Sequence, residues 1–149
     1  MSYAPALPTI VDAIHASVSP VFMLTGIGAL LNVLAGRLSR VVDRARDRED
    51  RHAALAPGDR AQVVWELRLL ARRMGIINVA LFLAVASAVA TCTVVALLFV
   101  GALTHFRVGQ LVAVAFIAAT TLLIAAFTGF LIEVRLSIRA IRIRDDLLR

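Results

Sequence analysis

Residues 19–51 read SPVFMLTGIGALLNVLAGRLSRVVDRARDREDR, and this stretch decides the fold. Its first half carries no charge and is long enough to cross a bilayer. Its second half places an arginine at every third or fourth position and contains no proline, so the same helix can continue into water. The rest of the chain repeats this plan of uncharged runs beside arginine-rich segments. The pattern predicts an integral membrane protein.

Composition supports this class and argues against two others. The 149-residue chain is 60% hydrophobic with a mean hydropathy of +0.88, which is too apolar for an ordinary soluble domain. The net charge of +6 could indicate nucleic acid, but the arginines flank apolar runs and are not interleaved with aromatic residues. We therefore expect no nucleic-acid partner. The expected partners are membrane lipids with anionic headgroups, and the candidate contacts are Arg37, Arg40, Arg44, Arg72, Arg73, Arg135 and Arg139.

The predicted fold is all-α, an integral membrane three-helix bundle whose long helices extend into the cytoplasm. Pro57–Gly58 interrupts the arginine-rich segment after the first span and predicts a turn there. We expect one membrane domain over residues 1–149, and its parts are spans at about 17–36, 75–103 and 108–132, a cytoplasmic helical hairpin at about 37–73 and a cytoplasmic tail helix at 133–149.

The distribution of arginine predicts the orientation. Ten arginines lie in residues 37–73, five follow residue 132, and one lies in the short connection at residues 104–107. Because arginine-rich segments stay in the cytoplasm, the amino terminus is predicted outside and the carboxyl terminus inside. The first apolar run lacks the basic segment and cleavage site of a signal peptide, so we expect that span to be retained.

Small residues recur at helical spacing in each span and predict close helix packing. The candidates are Thr25, Gly28, Asn32 and Gly36 in the first span, Ala80 and Ala84 in the second, and Ala125 and Gly129 in the third. Beyond the spans, apolar residues in 4-3-4 spacing predict coiled-coil-like seams. These seams are Leu34, Leu38, Val41 and Ala45 in the first helix, and Leu131, Val134, Ile138 and Ile141 in the last.

Three polar side chains share a predicted depth near the cytoplasmic interface. Asn32 precedes Arg37 by five residues, Asn78 follows Arg73 by five, and Glu133 precedes Arg135 by two. Two structural interpretations stay open, an interhelical polar layer and a Glu133 that pairs with arginine at the water boundary. The functional alternative is a protonatable Glu133 in an ion or proton path. Asn78 lies off the small-residue face of its helix, so it could instead face a second protomer.

Chemistry-bearing residues are sparse. Asp12 and His15 could bind a metal or sense pH, but two ligands alone favour a surface polar pair. Cys92 lies in an apolar run without a second cysteine. We find no nucleophile–base pair and no phosphate-binding glycine loop, so we predict no enzyme activity, no cofactor and no metal site.

The run from Ile14 to Arg46 resembles a bacterial membrane-protein family, the one catalogued as domain of unknown function 2721. The motifs that carry the resemblance are PVF at 20–22, LTGIG at 24–28, LNV at 31–33 and RLSRVVDRAR at 37–46. The likeness extends over about residues 10–143. It implies a three-span protein of the bacterial inner membrane and brings no activity or catalytic residue with it.

Three functions compete. The first is a non-enzymatic scaffold or accessory subunit that associates with itself or joins a larger membrane complex. The second is a homo-oligomeric ion-conducting pore with Asn32, Ser87 and Thr91 along its lumen. The third, a membrane enzyme, would need clustered titratable groups at one depth, and Glu133 alone fits, so this function ranks last.

Overall fold

A computed structural model describes residues 7–53, 60–104 and 108–145. These residues form three α-helices, which are α1 (Leu7–Ala53), α2 (Arg60–Thr104) and α3 (Gly109–Asp145). The predicted turn at Pro57–Gly58, residues 105–107 of the short connection and the end of the tail after residue 145 lie outside the described residues.

Each helix contains a stretch long and apolar enough to cross a membrane. The stretches are Ile10–Asp50, Leu67–Thr104 and Gly109–Ile138. The all-helical fold with three packed helices is therefore confirmed, and the chain is a multi-pass membrane protein by these three candidate spans. α1 runs through Pro20 without ending there, although a proline removes one backbone hydrogen bond.

The chain divides into two compact units, and each helix contributes to both. One unit consists of Met1–Leu31 and Leu83–Ile124, and we call it the apolar unit. The other consists of Asn32–Phe82 and Ala125–Arg149, and we call it the arginine-rich unit.

The core of the arginine-rich unit contains the α1 seam. Leu34, Val41 and Ala45 are buried, as the 4-3-4 spacing predicted, and Leu38 is half-buried. From α2, Leu70 and Ile77 are buried seven residues apart. A repeat of seven places apolar side chains along one side of a helix, which is the arrangement of helices packed as in a coiled coil.

The predicted seam of α3 is wrong at Leu131 and Ile138, whereas Val134 is half-buried and the side chain of Ile141 lies outside those that the structure describes. Leu131 and Ile138 are 58% and 54% exposed, whereas Ala126 and Glu133 are buried, again seven residues apart. The helix is therefore turned so that a carboxylate takes a core position. The physical reason is that two arginines supply its counter-charge, which hydropathy alone does not register.

α2 and α3 approach closely in the same unit. A Cβ atom added to Gly129 would lie 3.2 Å from the Cβ of Ala80, which is tighter than ordinary van der Waals contact. Glycine thus permits a backbone approach that a larger residue would hinder. Ala80 is buried, with 1% of its surface exposed.

The apolar unit has its own buried contacts. Ile27, Ala84, Val94 and Ala119 lie in its core. The buried hydroxyl of Ser87 on α2 donates to the backbone carbonyl of Ala119 on α3 at 2.8 Å. A buried hydroxyl needs a hydrogen-bond partner. Because this partner belongs to a neighbouring helix, the bond joins α2 to α3.

Candidate functional site at Glu133

Glu133 is the centre of an ion cluster in the arginine-rich unit. Its side chain is 1% exposed. Arg37 on α1 donates from Nη1 to its Oε2 at 2.6 Å, and Arg73 on α2 donates from Nη2 to its Oε1 at 2.9 Å. One carboxylate on α3 therefore binds a guanidinium group from each of the other two helices.

Ser137 extends the cluster by one helical turn. It lies four residues after Glu133 on α3, so both side chains are on the same side of the helix. Its hydroxyl donates to Oε1 of Glu133 at 2.8 Å and accepts a hydrogen bond from Nη2 of Arg73. Glu133, Arg73 and Ser137 thus bind one another in a closed triangle.

The two arginines have different surroundings. The Arg37 side chain is 30% exposed, and its guanidinium carbon lies 5.3 Å from the centre of the Phe130 ring, a favourable cation–π distance. The Arg73 side chain is only 14% exposed. Its Nε is buried and has no acceptor among the described residues. Arg73 therefore depends more on the cluster than Arg37 does.

The electrostatics explain why these residues are together. A carboxylate removed from water loses a large hydration free energy, which a close and well-oriented counter-charge recovers. Both oxygens of Glu133 accept charge-assisted hydrogen bonds, the strongest kind that a carboxylate makes. With two guanidinium groups and one carboxylate, the cluster carries a net charge of +1.

The arrangement is suited to joining helices. An ionised carboxylate can only accept hydrogen bonds, and here each oxygen is already bound by an arginine. Among the described side chains that contact Glu133, Ser137 is the one hydroxyl, and it donates its proton to the carboxylate. The geometry thus joins three helices through one carboxylate.

The three residues of the predicted polar layer have different surroundings in the structure. Glu133 is buried and binds arginine, which is the simpler of the two interpretations of its position. Asn32 and Asn78 are both exposed, and in the described part of the chain neither contributes to the cluster. Pairing with arginine was predicted, but Arg37, Arg73 and Ser137 were not predicted as the specific partners of Glu133. The signal that could have found Ser137 is its four-residue spacing from a carboxylate within an apolar helix.

The predicted lipid-contacting arginines fall into two groups. Arg37 and Arg73 bind Glu133, so for these two the prediction of headgroup contacts is replaced by an internal ion pair. The side chain of Arg139 lies outside those that the structure describes. The remaining candidates are exposed and stay available to headgroups, and they are Arg40, Arg44, Arg72 and Arg135.

The small residues predicted for helix packing also fall into two groups, which differ in their exposure. Ala80, Ala84, Ala125 and Gly129 lie in buried or half-buried positions of their units. The four on α1 are exposed, and they are Thr25, Gly28, Asn32 and Gly36. A Cβ added to Gly28 or to Gly36 would meet no atom within 4 Å. This face of α1 is therefore open.

The apolar unit contains little polar chemistry. Asp12 and His15 are exposed on α1. Cys92 is exposed and borders an open groove of about 460 Å³ whose other lining residues are chiefly alanine, valine and leucine. Over residues 7–53, 60–104 and 108–145, no three His, Cys, Asp or Glu side chains are grouped in a way that could hold a metal ion.

One family model matches most of the sequence. It is described as a protein of unknown function, DUF2721, and the match covers residues 17–143. The chain belongs to this family. The resemblance in residues 14–46 is thus confirmed, and the DUF2721 match includes both arginines and the carboxylate of the ion cluster. No curated protein and no solved structure matches the chain significantly.

Proposed function

We propose that this DUF2721 protein is a non-enzymatic membrane scaffold or accessory subunit that associates through the exposed face of α1. The observation that carries the proposal is the face itself, formed by Thr25, Gly28, Asn32 and Gly36. Small residues let helix backbones approach closely, and close packing is what drives helices together in lipid.

Asn32 gives this face a second reason to be covered. It lies within an apolar candidate span and its side chain is exposed. A side-chain amide that faces hydrocarbon loses its hydrogen bonds to water, and this loss is unfavourable unless another polar group replaces them. Association with another helix supplies such a group. The small residues and the amide therefore favour the same face as an interface.

The ion cluster also supports a scaffold, because it joins the three helices of one protomer. Glu133 is held by two arginines and Ser137, so the carboxylate serves the packing of the protomer. A rigid protomer loses less conformational freedom when it associates than a loose one does. The cluster would then keep α1 in place while its outer face engages a partner.

A pore is less well supported. Of the residues suggested for its lumen, Ser87 and Thr91 are fully buried, and their hydroxyls donate to backbone carbonyls of the apolar unit. Only Asn32 remains exposed. Ion flux through liposomes, with and without Glu133→Gln, is the direct assay of this alternative.

We place the protein in the bacterial inner membrane, with its amino terminus outside and its arginine-rich segments in the cytoplasm. The support is the unequal distribution of arginine, since 15 of the 16 lie in segments predicted on one side. The same orientation lets Arg40, Arg44, Arg72 and Arg135 meet the anionic lipids of the cytoplasmic leaflet.

The test is gentle extraction from the native membrane, followed by mass determination of the intact complex. We expect a species heavier than the 16.0 kDa chain, made either of copies of it or of the chain with other subunits. Gly28→Leu should shift that species toward the monomer, because a leucine side chain fills the open space on the face. The matched control is Ala118→Leu, which adds bulk at an exposed position of α3. A monomer from the unaltered chain would overturn the proposal.

A further inference from the structure

We propose that the copies pair head to tail, with the exposed face of α1 in one copy against the exposed face of α2 in the next. This inference rests on the proposed self-association and names the surfaces that meet. The juxtaposition that carries it lies within the arginine-rich unit. There, polar groups exposed on α1 and polar groups exposed on α2 lie at the same heights along the two helices.

The ion cluster sets a common level for the two helices. Arg37 on α1 and Arg73 on α2 bind opposite oxygens of the same carboxylate. Only residues 54–59 separate the end of α1 from the start of α2. If the two helices ran in the same direction, Arg73 would lie tens of ångströms from Arg37, and the two could not share Glu133. In this unit α1 and α2 therefore run in opposite directions.

Residues counted outward from the cluster then fall at equal heights. Asn32 precedes Arg37 by five residues and Asn78 follows Arg73 by five, so each lies ~7.5 Å from the cluster on the same side. Both amides are exposed within apolar candidate spans. Copies inserted in one orientation present Asn32 and Asn78 at the same depth, where two amides can satisfy each other by hydrogen bonding.

Opposite charges match on the other side of the cluster. Asp43 follows Arg37 by six residues and Arg68 precedes Arg73 by five, which places them ~9 and ~7.5 Å from it. Both side chains are exposed. An acidic group on α1 thus stands level with a basic group on α2, and side-by-side copies would bring the two together.

Two glycines lie between these polar pairs. Gly36 precedes Arg37 by one residue and Gly75 follows Arg73 by two. Both are exposed, and a Cβ added to either would meet no atom within 4 Å. A glycine on each helix thus lies near the level of the proposed contact, and glycine permits close backbone approach.

Helical geometry places the amide and the charged residue of each helix on the same side of that helix. Asn32 and Asp43 are eleven residues apart, so they point within ~20° of each other around α1. Asn78 and Arg68 are ten residues apart and differ by ~80°, a separation that the long arginine side chain can cover. Because the two faces lie on different helices, the contact is heterologous and repeats from copy to copy.

Cysteine cross-linking tests the pairing directly. Two differently tagged chains, one with Asn32→Cys and one with Asn78→Cys, are expressed together in a Cys92→Ala background and oxidised in native membranes. We expect a mixed dimer from the pair and no dimer from either variant expressed alone. A dimer of Asn32→Cys alone would instead show an α1–α1 contact and overturn the proposal.

Charge reversal supplies a second and independent measurement. Asp43→Arg should weaken assembly about two- to fivefold, the range of an exposed ion pair, and the double variant Asp43→Arg/Arg68→Asp should restore it. Glu49→Arg is the matched control, since Glu49 is exposed on another side of α1. If the unaltered protein assembles but none of these variants behaves as stated, the head-to-tail pairing is wrong and self-association stands. A monomeric unaltered protein removes both.

Discussion

Ser137 donates its proton to Oε1 of Glu133 at 2.8 Å while it accepts a hydrogen bond from Arg73. Ser137 follows Glu133 by four residues on the same helix, so the serine brings no further helix into the cluster. The Ser137 hydroxyl binds Oε1 of Glu133, the same oxygen that Arg73 binds. It thereby holds the Arg73 guanidinium group on that side of the carboxylate. A small hydroxyl thereby orients a buried ion pair.

Ser137→Ala should lower the free energy of unfolding by about 1 kcal/mol, the net contribution of one hydrogen bond. The loss stays moderate because Arg73 still bonds Glu133 directly. Thermal unfolding in mild detergent measures it. Thr121→Ala is the matched control, since the exposed Thr121 hydroxyl donates only within its own helix. Equal effects of the two substitutions would contradict an orienting role for Ser137.

Glu133→Leu should be far more damaging, with a loss of about 3–5 kcal/mol, because two arginines then lack their counter-charge. Glu133→Gln should cost less, since an amide oxygen still accepts a hydrogen bond. The triple variant Glu133→Leu/Arg37→Met/Arg73→Met should be more stable than Glu133→Leu alone. Detergent unfolding curves would decide this, and a Glu133→Leu protein as stable as the original would refute the account of the cluster.

Arg73→Met should destabilise the protein more than Arg37→Met. The Arg73 side chain is 14% exposed and bonds both Glu133 and Ser137, whereas Arg37 is 30% exposed and bonds Glu133 alone. We expect a difference of about 1–2 kcal/mol. Melting temperatures of the two variants, measured side by side, give the order. The reverse order would mean that the contact of Arg37 with Phe130 outweighs burial.

Gly129→Leu should lower the stability of the fold, whereas Gly28→Leu should reduce association. The first places a side chain against Ala80, where a Cβ alone would already lie at 3.2 Å, and should cost about 1–3 kcal/mol of stability by overpacking. The second faces open space and should leave the unfolding curve unchanged while it reduces assembly. Paired stability and mass measurements check this. A large loss of stability from Gly28→Leu would show that its face is covered within the protomer.

The proposed orientation predicts which thiols react from outside the cell. In a Cys92→Ala background, Asp50→Cys should be labelled by an impermeant maleimide only after the membrane is opened, because it lies in the arginine-rich segment. Gly109→Cys, at the start of α3, should be labelled in intact cells. The opposite pattern would reverse the topology.

Much of the fold was predictable because hydrophobicity and arginine placement are one-dimensional signals. A long uncharged run before Arg37 predicts a helix that can cross a membrane, and the α1 seam at Leu34 and Val41 follows from spacing alone. Even the glutamate–arginine pairing was among the interpretations considered. The helix and its seam depend on residues close together in the chain.

The errors share a different cause. The face that α3 buries was mispredicted because the side chain that turns it inward, Glu133, is stabilised by Arg37 and Arg73, which lie 96 and 60 residues away. The exposure of Gly28 and Asn32 could not be predicted either. A small-residue face signals that close packing is possible, but the sequence does not say whether the partner helix belongs to the same chain.

The ion cluster also bears on how the protein is made. Arg37 and Arg73 are synthesised before Glu133, so the growing chain carries two arginines at the edge of its apolar segments without the carboxylate that they bind in the finished protein. α3 completes the set. A chain that ends before residue 133 would therefore carry Arg37 and Arg73 without the carboxylate that binds both of them in the full-length protein.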